Sequence, residues 1–146
     1  MQKIFIILAL SFLISVTVRA QKPEVFNNSG TAISGYDAVA YFSDGKHMEG
    51  KTEFSHHWKS ANWHFASAKN LEAFKKDPEK YAPQYGGYCA YGMAQGYKAP
   101  TDPAAWSIVN GKLYLNYNKD VQKLWNENQA KSIERSDKNW PGIKNK

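Results

Sequence analysis

The sequence predicts an α+β fold: one domain with a small antiparallel β-sheet, helices packed on it, and a long C-terminal helix. Three observations predict it. Trp106-Ser107-Ile108-Val109, then Asn110-Gly111, then Lys112-Leu113-Tyr114-Leu115 reads as a hairpin with a type I′ turn, whose two central residues both need positive φ. Residues 52–57 and 62–66 alternate aromatic and polar side chains with the period of half-buried strands. Residues 68–76 and 118–137 instead space their apolar positions at helical intervals.

Taken in order, residues 1–20 are expected to be a cleavable signal peptide. Lys3 supplies a positive start, residues 4–13 an apolar run, and Val18-Arg19-Ala20 a small-x-small cleavage pattern. The apolar run is short for a membrane span, which needs ~20 residues, so no membrane span is expected after cleavage. A periplasmic or secreted location follows. Residues 21–32 read as a polar leader, residues 33–141 as the domain, and residues 142–146 as a frayed basic tail. Gly35-Tyr36-Asp37 is expected to turn into a short buried strand, Ala38–Phe42. The two aromatic strands are joined through Lys59-Ser60-Ala61-Asn62. Ser67 then caps a helix over residues 68–76, with Leu71 and Phe74 inward. Asp77-Pro78 stops it, and Pro78 opens a second short helix to Tyr81. A glycine-rich loop or irregular helix start carries Cys89. Residues 118–137 form one helix, with Val121, Leu124, Trp125, Asn128 and Ile133 near its inner face, and Asn139-Trp140-Pro141 closes the ordered part.

The formal net charge is +6 over 146 residues, and falls to +4 if Lys3 and Arg19 leave with the signal. The lysines are dispersed, which is a soluble surface rather than the concentrated stripe of a nucleic-acid binder. No nucleic-acid partner is expected; a metal ion, a small ligand or a protein in the cell envelope is. A single cysteine in an exported chain has no internal disulfide partner, so burial, ligation or an intermolecular bond must account for it.

The candidate metal ligands are Cys89, His57, His64 and Met93. Thiolate, thioether and imidazole are the donors that soft transition metals select, and Cys89 and Met93 share one face if their segment is helical. A copper ion is the first candidate, with zinc or haem as alternatives. His57 and His64 lie opposite each other if the strands turn about Ser60-Ala61; His56 points the other way. Against this stands the plainer assignment of Cys89 as a buried small residue and Met93 as a gap-filler. Tyr85, Tyr88 and Tyr91 are candidates for an apolar ligand pocket, suited to a planar ligand, or equally for core positions. A Cys-His nucleophile pair oriented by Asp37 or Asp102 has no supporting local signature, and no catalytic residue is assigned.

GYDAVAYF (35–42), WHFAS (63–67), the spaced Phe74, Pro78, Lys80 and Tyr81, and YGGYCAYGMAQG (85–96) together resemble a YHS domain of the exported bacterial form. The hairpin and the terminal NWP also fit that form. The resemblance implies metal binding, since YHS domains occur beside copper-transporting ATPases and in oxygenase subunits. Those forms carry cysteines in an F-C-S-x-x-C arrangement, and the matching positions here are Ala66 and Asn70. The resulting expectation is an exported YHS-type domain that binds copper for trafficking, buffering or sensing. The alternative is a non-catalytic interaction module in which Cys89 belongs to the core.

Overall fold

The computed structural model describes residues 20–146; the expected signal peptide lies almost wholly outside them. Two sheets and six α-helices make a mixed α+β unit, as the sequence patterns predict. A four-stranded sheet has the order β1-β2-β4-β3, from β1 (Asn27–Asn28), β2 (Thr31–Ala32), β3 (Lys51–Trp58) and β4 (Ala61–Phe65). The helices α1 (Ala40–Ser43), α2 (Ala68–Lys76) and α3 (Pro78–Tyr81) accompany it. After a 3₁₀ turn at Gln84–Gly87 come α4 (Ala90–Ala94), the hairpin of β5 (Asp102–Val109) and β6 (Lys112–Asn116), then α5 (Lys119–Glu127) and α6 (Gln129–Ile143).

The β5–β6 hairpin divides the interior. Alternation along β6 sends Leu113 and Leu115 into a core with Trp63, Phe65, Phe74 and Tyr41, whereas Tyr114 packs with Tyr85, Met93 and Trp125. Asn110 and Gly111 take φ of 51° and 73°, the turn foreseen from sequence. Ser67 Oγ accepts from Asn70 N to cap α2, and Asp77 Oδ1 accepts from Lys80 N to cap α3.

Four expectations are corrected. Ala38–Phe42 is no strand: Asp37 Oδ1 accepts from Val39 N (2.8 Å) and Ala40 N (3.2 Å), and this capping starts α1. The polar segment 21–32 joins the domain, with β1 and β2 in the sheet and Val25 and Ala32 buried. Its apolar content was too sparse to show a period, because main-chain pairing holds it. The long helix of residues 118–137 is two helices, broken at Asn128 (φ −137°, ψ 45°). The break lets α5 bond the hairpin through Gln122 and Ser107 while α6 bonds α4 through Ser136 and Ala90 O. Finally, α6 runs through Pro141 to Ile143. Pro141 forfeits one bond near the end of the helix, and the last turn is held from outside it by Lys98.

Candidate functional site

Cys89 occupies the residue before α4, without a side-chain capping bond, and is 2% exposed. Its Sγ lies 3.6 Å from Asn116 Oδ1, which also accepts from Tyr91 N at 3.0 Å. Burial pushes the thiol pKa upward, against main-chain hydrogen bonds that act the other way, so the protonated thiol is favoured. Met93 follows one helical turn later, fully buried against Tyr114 and Trp125.

The two histidines lie elsewhere. The β3–β4 turn is made by Lys59 and Ser60 alone (φ 47° and 59°), so His57 pairs with Asn62 and Ser55 with His64. His57 and His64 share the outer face of the sheet but are not opposite each other, because the turn sits one residue earlier than the sequence suggested. The His57 ring nitrogen bonds Asn62 Oδ1 at 2.9 Å. Cys89 and Met93 belong to the interior beyond the hairpin, so the proposed set of Cys89, His57, His64 and Met93 is not assembled. Among the described residues, no group of three or more His, Cys, Asp or Glu is placed to hold a metal ion.

The strand-to-helix junction is equally closed. Asp37 is fully buried; its Oδ2 accepts from Ala66 N (2.8 Å) and from Asn70 Nδ2 (2.7 Å). These are the two positions where the metal-binding forms of the resembled family carry cysteines. With four donors converging on one carboxyl group, the residues present do not fit a metal at that place.

Nor do the three candidate tyrosines line a common pocket. Tyr85 OH donates to Asp137 Oδ1 (2.9 Å) and Tyr88 OH to the Pro23 carbonyl (2.7 Å); burial raises the pKa of both, that of Tyr88 to about 12. Tyr85 borders a cavity of about 110 Å³, Tyr88 a different one of about 230 Å³, and Tyr91 a third of about 270 Å³. Each of these three cavities is smaller than the roughly 300–1,000 Å³ of typical cofactor sites.

The smallest of these three cavities has the densest chemistry. It is bordered by Trp58 and Lys59 at the β3–β4 tip, Glu24 before β1, Glu79 in α3, Tyr85, and Trp140 in α6. Lys59 Nζ bonds Glu24 Oε1 (3.2 Å) and Glu79 Oε1 (3.0 Å). Gly86 lets the N-terminal segment reach this wall, since a Cβ there would lie 1.8 Å from Glu24 O. Phe26 N donates to Gly86 O at 2.8 Å across the same contact. Nearby, Lys98 is 7% exposed and gives its ammonium to the main-chain oxygens of Lys22, Pro23, Lys144 and Lys146. Sequence reasoning missed both arrangements, for their parts come from segments read as leader, turn and tail.

Residues 39–85 match the family model of the YHS domain. No curated protein and no solved structure matches the chain. The matched stretch runs from the start of α1 to Tyr85 and stops short of Cys89 and Met93. From Val39 to Tyr85, then, this chain is similar to the YHS domain.

Proposed function

We propose that this protein is an exported, non-catalytic binding module of YHS type, acting on a small ligand or an envelope partner through the tryptophan-lined cavity at the β3–β4 tip. Cys89 is a core residue in this reading. The observation that carries it is the separation of the soft donors: a buried, protonated thiol on one side of the hairpin and imidazoles on the outer face of the other sheet. Export rests on the signal-like N-terminal sequence. The competing reading is copper held by Cys89 and Met93 for trafficking, buffering or sensing. It draws support from the YHS match and from Met93 N donating to Cys89 O across one turn.

Anaerobic loading with Cu(I), Zn(II) and haem separately, followed by desalting, decides between them. The binding-module reading expects none to be retained. Near-stoichiometric copper in the wild type, lost in Cys89→Ser, would overturn it in favour of the metal.

A further inference from the structure

The cavity beside Lys59 already holds a cation, the chain's own. Lys59 Nζ lies 4.8 Å from the centre of the Trp58 ring, between the carboxylates of Glu24 and Glu79. Burial acts to lower the Lys59 pKa, but hydrogen bonds and charge from Glu79 and Glu24 outweigh it and raise the value, so the surroundings favour a positive charge. An aromatic face flanked by acidic groups is how proteins recognise ammonium ligands.

The occupant is loosely held. The Lys59 side chain is 37% exposed, and its ion pairs are of the surface kind that contribute little. Its backbone sits at φ 47°, a conformation that side chains adopt reluctantly. Lys98, the other ammonium near Trp140, is tied to four main-chain oxygens.

We propose that this cavity is a binding site for a small organic cation, an alkylated or quaternary ammonium group, which displaces the Lys59 ammonium. The exchange is favourable in principle because a primary ammonium is strongly hydrated and gains most from returning to water. An alkylated one loses less hydration and keeps its contact with the ring face. A volume of about 110 Å³ admits a headgroup rather than a whole cofactor. The inference rests on the binding-module reading and names its ligand class.

Tetramethylammonium chloride, titrated against the protein with sodium chloride as control, tests it by NMR of the tryptophan indole N–H signals. Saturable shifts of the Trp58 and Trp140 signals are expected. Lys59→Gly removes the competing ammonium and suits the positive φ, so it should bind about tenfold more tightly. Glu79→Gln, at an exposed position, should bind several-fold more weakly. Shifts reproduced by sodium chloride, or absent in both wild type and Lys59→Gly, would overturn the site. Equal affinity in wild type and Lys59→Gly would overturn the displacement. Silent indoles in a protein that retains no copper refute this inference alone, whereas retained copper refutes the reading beneath it.

Discussion

Two buried polar centres, one on each side of the β5–β6 hairpin, are built to opposite standards. On one side, Asp37, two residues before the matched stretch, receives four donors at 2.7–3.2 Å, from Val39, Ala40, Ala66 and Asn70, and ties α1, the end of β4 and α2 together. On the other side, Asn116 accepts from Tyr91 N and a weak thiol contact, while its own Nδ2 is buried without a partner, as is Trp125 Nε1. A saturated hub stabilises a fold and has no capacity left for a ligand. A half-satisfied centre costs free energy and constrains its surroundings less. The comparison explains why the stretch matched to the YHS domain reads as a scaffold, its chemistry consumed internally.

The largest effect that sharpens this contrast is at Asp37. Asp37→Ala orphans four donors at once and is expected to cost about 4 kcal/mol. Asn116→Ala removes the acceptor from one main-chain donor and should cost about 2 kcal/mol. Urea unfolding of both variants measures the difference, and equal losses would erase the distinction between the two centres.

Next comes the clasp that Lys98 makes between residues 22–23 and residues 144–146. Lys98→Met leaves four main-chain oxygens without their ammonium and is expected to lose about 2 kcal/mol. Amide exchange should quicken first in residues 22–24 and in the last turn of α6. Uniform quickening across the sheet would show that the clasp is not local.

A pH dependence has the smallest effect near neutrality and develops in alkali. Burial holds the pKa of Cys89 above its usual 9.0, and those of Tyr41, Tyr85 and Tyr88 above 10.0. Above those usual values the unfolded chain gives up the protons while the native chain keeps them. Stability therefore falls as pH rises past about 9, with each such group contributing up to about 1.4 kcal/mol per pH unit. Cys89→Ala should flatten the earliest part of that decline while costing less than Asp37→Ala at neutral pH. An unchanged slope would place the thiol nearer to solvent than its burial indicates.

Local signals were legible wherever a residue type carries its own geometry. Asn110-Gly111 specifies a positive-φ turn, Ser67 presents an oxygen to a helix start, and Asp77-Pro78 ends one helix and begins another. The β3–β4 turn defeated the same reasoning, since Lys59-Ser60 adopts positive φ without Asn or Gly and is imposed by the pairing around it. That single-residue displacement is what took His57 and His64 out of opposition.

By itself, then, the sequence determined the α+β class, the hairpin, the Ser67 cap and the YHS resemblance, because each depends on periodicity or on one residue's preferred backbone. Only the tertiary structure decided that Cys89 is a buried thiol apart from the histidines, that Asp37 fills the junction at Ala66 and Asn70, and that Glu24, Lys59, Glu79 and Trp140 meet around one cavity. Those outcomes depend on contacts between residues far apart in the chain, where long-range packing overrides local propensity and no spacing rule records which side chains converge.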